Sequence, residues 1–308
     1  MGQGDQDPFD RSHAPVVGEV EQILPGLRVV TAPNAGPMTF TGTQSYIVGE
    51  GRVAVLDPGP LDKAHIDALQ SAVRRETVKA VLVSHSHRDH SSGAREFARL
   101  VGAPVMAHGD PRGARSPLMT RLADDGLLEG GEGIDEGFWP DEVLRDGDRI
   151  SGPDWELEAL YSPGHLSDHL AFVWGRSIFS GDVAMGWATT LISPPDGDLA
   201  RFRTSIERLI AHAPERLYPG HGGTVEDPER LLTHLLDHRA AREKQILASL
   251  SDGPGGISDI VARVYADVPP DLHAAAGRNV FAHLIDLVER GLVGTKTALS
   301  SNGTFALR

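Results

Sequence analysis

The chain has no cysteine among its 308 residues, which excludes disulfides and confines any metal site to nitrogen and oxygen donors. Basic residues are also scarce: 29 Lys and Arg against 43 Asp and Glu leave a formal net charge of -14. Broad affinity for nucleic acid rests on cationic neutralisation of phosphates, so non-specific binding of that kind is not expected. No apolar run approaches the length of a bilayer-spanning helix, and no membrane association is expected. The opening MGQGDQDPFDRSH has neither the apolar core of a secretory signal nor an Arg-rich amphipathic pattern, so a cytoplasmic location is expected. The acidic excess is concentrated in residues 124–158, where thirteen acidic residues face only Arg145 and Arg149. Being glycine-rich as well, this segment reads as a solvated, irregular excursion.

Histidine, by contrast, is concentrated in one place. Residues 81–93, VLVSHSHRDHSSG, set His85, His87, Asp89 and His90 directly behind a short β-branched run. Residues 80–83 read as a buried strand and residues 91–100 as a helix, so the four side chains sit on a strand-to-helix turn. Alternate residues His85 and His87 can point to one side while Asp89 and His90 reach another, which allows two adjacent metal ions. A solvated loop would gain nothing from such crowding at the edge of a core.

Along the chain, residues 1–14 read as disordered, with structure from about Val16. Residues 27–31, 45–48 and 53–56 read as strands, residues 61–74 as a helix and residues 104–107 as a further strand. This mixture suggests stacked sheets with helices outside. A strand over residues 155–161 runs into Pro163-Gly164-His165, strands over 170–174 and 177–179 run into Ser180-Gly181-Asp182, and residues 186–197 look irregular. A helix over 199–211 precedes a strand over 216–218 that ends in Pro219-Gly220-His221. Three times a strand ends, small residues bend the chain, and one ligand-type side chain is presented.

From Pro228 the pattern turns helical. Ile257, Ile260, Val261, Val264 and Tyr265 form an unbroken helical stripe, and Val280, Leu284 and Val288 mark a third helix closed by Gly291. Residues 292–297 and 304–307 can pair as a hairpin, completing a winged-helix pattern. The expected units are a disordered N-terminus (1–14), a first domain (15–225) and a second (226–308).

The candidate metal ligands are thus His85, His87, Asp89, His90, His165, Asp182 and His221. His85, His87 and His165 are expected on one ion and Asp89, His90 and His221 on the other, with Asp182 bridging. Two divalent cations are expected, Zn(II) first, with Mn(II) or Fe(II) compatible with the same donors. Such a pair can bring the pKa of a shared water from about 15.7 toward about 7, making a metal-bound hydroxide the nucleophile, with Asp89 able to accept a proton. Asp57 and His169 are expected to support ligands from behind, and Trp187, Thr189 and Thr190 to line the pocket.

These residues resemble the metallo-β-lactamase-fold hydrolases. The resemblance implies an α+β fold, a four-layer αβ/βα sandwich with the site at one edge of two sheets. The His-x-His-x-Asp-His motif, a later His, a bridging Asp and a final His are similar to the glyoxalase II and ribonuclease Z type. Absence of cysteine excludes the thiolate-containing β-lactamase sites, Asp182 is not expected in the all-nitrogen ones, and His87 stands where flavodiiron oxygen reductases carry Glu. The spacing of 39 from Asp182 to His221 leaves no room for a β-CASP domain or the arm of transfer-RNA processing enzymes. Gly36-Pro37-Met38-Thr39, Gly42-Thr43-Gln44-Ser45-Tyr46 and residues 275–291 resemble the β-lactamase-like protein 2 family, with Gln44 and Ser92 in place of the commoner Asn and Gly. That family joins the hydrolase domain to a winged-helix-like domain and includes a single-strand-selective endoribonuclease.

The resemblance therefore implies a phosphodiester in single-stranded RNA as substrate, and the glyoxalase-like site a thioester or other acyl compound. Charge leans against RNA. Residues 226–308 hold eleven acidic and nine basic residues, so sequence-specific DNA binding is not expected. The second domain is expected to close one side of the cleft or to mediate a homodimer. The rival reading is a winged-helix nucleic-acid-binding regulator without catalysis, which seven aligned ligand residues disfavour.

Overall fold

The computed structural model describes residues 7–127, 133–266, 269, 273–296 and 299–308. Apolar residues alternate along its strands with the period of two that gives a strand two faces. In β2 (Leu27–Thr31), β3 (Gln44–Val48), β4 (Arg52–Leu56) and β5 (Thr77–Leu82), Leu27, Tyr46, Val48, Leu56 and Leu82 face one core. Val30, Ile47, Val53, Val55 and Val81 face another. Strands apolar on both faces must lie between two covering layers. With β1 (Val20–Leu24), β6 (Val105–Ala107) and β7 (Glu142–Val143) they form one sheet in the order β1-β2-β3-β4-β5-β6-β7.

The second sheet is built the same way from β8 (Arg149–Ser151), β9 (Glu156–Tyr161), β10 (Leu170–Trp174), β11 (Ser177–Gly181) and β12 (Arg216–Pro219), in the order β12-β11-β10-β9-β8. Leu157, Leu170, Phe172, Phe179 and Tyr218 meet the first sheet, while Leu160, Ala171, Ile178 and Leu217 face away. Helices α1 (Lys63–Val73) and α3 (Ala94–Val101) cover the first sheet. Helix α5 (Leu199–Ala211) and the first half of α6 (Pro228–Leu250) cover the second. The result is the expected αβ/βα order of layers.

Helix starts follow local chemistry: Asp62, Asp198 and Asp227 each accept an amide hydrogen bond at the N-cap, and Pro228 opens α6. The helix expected over residues 91–100 is divided into α2 (Arg88–Ser91) and α3, with Gly93 between them. The Gly93 amide donates to the Gly59 carbonyl at 2.9 Å, and a Cβ there would stand 2.9 Å from the carbonyl oxygens of Gly59 and Pro60. The turn after β4 thus presses against the histidine motif and leaves no room for a side chain.

The C-terminal part contains the second half of α6, α7 (Ile257–Val264), α8 (His273–Glu289), β13 (Val293–Thr295) and β14 (Phe305–Leu307), around Ile246, Ile260, Val280, Phe281, Leu284 and Phe305. Residue 297 of the expected hairpin lies outside the described residues. Helix α6 belongs to both cores: Leu231, Leu232 and Leu235 pack with α5, Ile246 and Leu250 with α7 and α8. A helix α4 (Pro117–Asp124), for which the sequence carries only a Ser-Pro start signal, adds Met119 and Leu122 to the C-terminal core.

Two expectations are corrected. Residues 1–6 lie outside the described residues, but residues 7–14 are not free: Phe9 meets His234 edge-on, the Asp10 amide donates to the Gly186 carbonyl, and His13 Nδ1 lies 2.9 Å from Thr41 Oγ1. Phe9, the aromatic side chain of this polar segment, packs against the core that covers the second sheet. The acidic stretch is not simply a solvated excursion either. Residues 128–132 lie outside the described set, yet β7, β8 and much of β9 come from the stretch, and Ile134 pairs with His87. Among the described residues no helix is long and apolar enough to cross a membrane.

One buried group makes the fold acid-sensitive. Ser45 Oγ donates to the Asp57 carbonyl and accepts from His65 Nε2 at 2.8 Å, which leaves His65 Nδ1 buried without a partner. Burial lowers the His65 pKa from 6.5 to about 4. Between those values the unfolded chain binds a proton that the folded chain refuses, so this residue's contribution is intact above pH 6.5 and is lost as pH falls toward 4. The loss is on the order of 3 kcal/mol. His65→Asn, which retains a donor to Ser45, is expected to flatten that limb of the stability-pH curve. An unchanged slope in denaturant titrations at several pH values would contradict the assignment.

Candidate metal centre

The carboxyl ends of β4, β5, β9, β11 and β12 converge at one edge of the two sheets, and each delivers its polar residue there. Asp57 ends β4 with a left-handed φ of 48°, a conformation that Asp tolerates better than most residues. Its Oδ1 accepts the Ser84 amide at 2.7 Å and its Oδ2 the Ser84 hydroxyl at 2.8 Å, which anchors the turn after β5. His165, Asp182 and His221 follow β9, β11 and β12. In the last of these turns a Cβ on Gly220 would lie 2.5 Å from Asp182 Oδ1, so the bend needs glycine.

All seven expected ligand residues come together. Donor atoms of His85, His87 and His165 form one group, those of Asp89, His90 and His221 a second, and those of His85, His90 and Asp182 a third, each within 4.8 Å. His87 Nδ1 lies 2.9 Å from His85 Nε2 and 3.0 Å from His165 Nε2. His221 Nε2 lies 3.3 Å from His90 Nε2 and 3.2 Å from Asp89 Oδ2. Asp182 stands between the groups, with Oδ2 3.7 Å from His165 Nε2 and 3.4 Å from His221 Nε2, and Oδ1 3.6 Å from His90 Nε2.

The outward-facing hydrogen bonds decide what these atoms can do. His90 Nδ1 donates to Asp57 Oδ2 at 2.9 Å, His165 Nδ1 to the Leu191 carbonyl at 2.9 Å, and His221 Nδ1 to the Gly42 carbonyl at 3.3 Å. His85 Nδ1 donates to Ser84 Oγ at 2.9 Å, whose own proton is committed to Asp57. In the neutral rings each Nε2 is therefore a lone pair aimed inward. Lone pairs facing one another in a buried space beside two carboxylates are unfavourable unless a cation joins them. Asp182 Oδ1 is buried without a hydrogen-bond partner. This donor set fits divalent cations that accept imidazole nitrogen and carboxylate oxygen.

Electrostatics divide the cluster. Burial holds His165 below its ordinary pKa, His85 well below it, and His87 at about 3, where the neighbouring His165 adds to the effect. Burial works in the same direction on His90 and His221, but carboxylates outweigh it. Asp89, Asp182 and Asp57 raise His90 well above the usual range, and Asp182 raises His221 to about 9. Burial would raise both carboxylates, yet His90 and His221 hold Asp89 and Asp182 well below the usual range. The first three histidines stay neutral as donors, and the other half of the site is where positive charge is most favoured.

The residues expected behind the ligands have definite partners. His169 Nε2 accepts the Asp182 amide at 3.1 Å, with its Nδ1 2.9 Å from Ser162 Oγ. Thr190 is fully buried and lines nothing: its hydroxyl donates to the Asp182 carbonyl at 2.9 Å. Trp187 stacks on Phe40, ring centroids 5.0 Å apart, and Thr189 is half-buried in the same loop. Ser84, Ser162 and Thr43 also belong to the site without any ligand-type signature in the sequence, Thr43 lying 3.5 Å from Asp89 Oδ2 and held by Asn34. The Leu191 and Gly42 carbonyls belong to it as well. Main-chain acceptors carry no residue signature, whereas Ser84, immediately before the motif, was visible.

The profile described as the metallo-β-lactamase superfamily matches residues 38–221, and that of the β-lactamase associated winged helix domain matches residues 257–298. A β-lactamase-like protein 2 homolog from Caenorhabditis elegans is 30% identical over 285 residues, covering 90% of this chain and 89% of that protein. An atrochrysone carboxyl ACP thioesterase from Paecilomyces divaricatus is 30% identical over 241 residues, 77% of this chain and 68% of that protein. Among solved structures, a metallo-β-lactamase family protein from Thermus thermophilus superposes with a TM-score of 0.73 at 25% identity, covering 93% of this chain and all of that one.

Proposed function

Because the chain belongs to the metallo-β-lactamase superfamily, and within it to the β-lactamase-like protein 2 family, we propose that it hydrolyses acyl thioesters at a two-cation centre. The observation that carries this reading is the inward convergence of four Nε2 lone pairs, His87 Nδ1 and two carboxylates, with the imidazole protons turned outward. His85, His87 and His165 would hold one cation and Asp89, His90 and His221 the other, with Asp182 reaching both. Bound there, Zn(II), or else Mn(II) or Fe(II), supplies a water with a pKa near about 7 and positive charge for the oxygen under attack.

The protein's own groups do the rest. The side chain of Asp89 is 27% exposed against 8% for Asp182, so the Asp89 carboxylate is the more open of the two to a proton from water and can return it to a leaving group. Asp57, through His90 and Ser84, keeps two imidazoles turned inward. Trp187 and Phe40 offer an apolar wall beside the His221 turn, suited to the uncharged part of an acyl chain.

A thioester is favoured over RNA for two reasons. The chain's net charge of -14 repels a polyanion, and one of the two relatives 30% identical to this chain is named as an ACP thioesterase. Cleavage of a phosphodiester in single-stranded RNA is the second reading, carried by family membership. The test is a panel on metal-loaded protein: an acyl-glutathione thioester, an acyl-carrier thioester, a phosphodiester reporter, single-stranded RNA and a cephalosporin. Thioester turnover is expected to exceed the others by about a hundredfold or more in kcat/KM. RNA cleavage without thioester turnover would reverse the order of the two readings.

A further inference from the structure

Between β11 and α5 the chain carries no helix or strand, yet this loop shapes the site from both ends. The Leu191 carbonyl accepts the His165 Nδ1 proton, and the Thr190 hydroxyl holds the carbonyl of Asp182. A loop without a ladder of its own points its carbonyls where outside partners place them. Here the partners are the C-terminal helices. Arg239 on α6 donates through Nη2 to the Thr190 carbonyl and through Nη1 to Asn279 Oδ1 on α8, the latter at 3.1 Å. The same Asn279 oxygen accepts the Ile192 amide at 3.2 Å. The peptide groups on either side of Leu191 are thereby clamped, and the Leu191 carbonyl, which shares its peptide plane with the Ile192 amide, is aimed at His165.

Arg239 is an expensive residue to use for this. It is 2% exposed and lies over the Phe202 ring at 5.2 Å, and among the described residues no carboxylate pairs with it. A buried guanidinium without a counter-ion is unfavourable unless its hydrogen bonds are well placed, and the bonds it makes here converge on the loop. By contrast Arg203, which ties α5 to Glu243 of α6 at 2.9 Å and Asp286 of α8 at 2.8 Å, joins the same helices without touching the loop.

We infer that Arg239 and Asn279 are positioning residues of the metal centre, acting through residues 190–192 to orient His165. The C-terminal helices are on this account part of the site, in addition to any role as a cover or an interface. The inference rests on the reading of His165 as a ligand, and the probe is Co(II), titrated into the full chain with visible absorbance and chelator competition as readouts. Asn279→Ala is expected to loosen one of two Co(II) ions by about 10- to 100-fold and to change its ligand-field bands. Asn279→Asp, which keeps the acceptor oxygen beside Arg239, should bind as the unaltered chain does. Arg203→Gln should lower the melting temperature and leave Co(II) affinity alone. In a His165→Ala background, Asn279→Ala should have no further effect on affinity.

Unchanged Co(II) binding in Asn279→Ala, or equal loosening in Arg203→Gln, would overturn the inference while the metal reading stands. Failure of the unaltered chain to bind Co(II) at all would overturn the metal reading, and the inference with it.

Discussion

Replacing His87 or Asp182 by alanine is expected to lower bound metal and turnover together while the fold survives. His87 Nδ1 lies within 3.0 Å of the inward nitrogens of both His85 and His165, so its loss removes one of three donors from one group. Asp182 reaches both groups, and its loss should deplete both ions. Turnover should fall on the order of 10³-fold or more in each variant, the scale expected when one member of a cooperating set is lost. The fold should persist because Asp182 is held in its turn by main-chain contacts to His169 and Thr190, which alanine keeps. Elemental analysis alongside circular dichroism decides the matter: native-like spectra with two ions bound in both variants would refute the assignment.

Removing metal from the unaltered chain should lower its melting temperature markedly. Without cations the inward lone pairs of the neutral His85, His87 and His165 and the unpartnered Asp182 Oδ1 remain buried together, and the folded state loses the free energy of binding. At a free concentration of about 1,000 times the dissociation constant one ion contributes about 4 kcal/mol. With an unfolding entropy of about 2.1 cal/mol/K per residue, that corresponds to a shift of roughly 6 °C for a chain of 308 residues. Scanning calorimetry with and without a chelator measures it. Coincident transitions, with chelated protein shown to be metal-free, would mean that the cluster does not bind in a way coupled to folding.

Much of this architecture is legible in the residues. Strands β2 to β5 and β9 to β12 announce themselves because apolar side chains occupy both faces, and helices α5 and α7 because their apolar stripes keep helical spacing. What escaped the sequence were elements whose stability comes from elsewhere. Strand β1 exposes Val20, β7 is two residues long, and α4 is secured by a distant C-terminal core. The acidic stretch misled because solvated charge dominates its composition, although Ile134 within it pairs with His87.

The sequence by itself determined which atoms could serve as ligands. Imidazole and carboxylate are properties of residue type, and strand-end placement follows from hydropathy and the glycine and proline that bend the chain. Only the tertiary structure decided which nitrogen of each histidine faces inward, because a tautomer is set by the partner of the opposite nitrogen. Those partners, Asp57, Ser84 and the carbonyls of Leu191 and Gly42, come from other turns of the chain. Two of the four are main-chain oxygens, which every residue type possesses and no sequence pattern distinguishes.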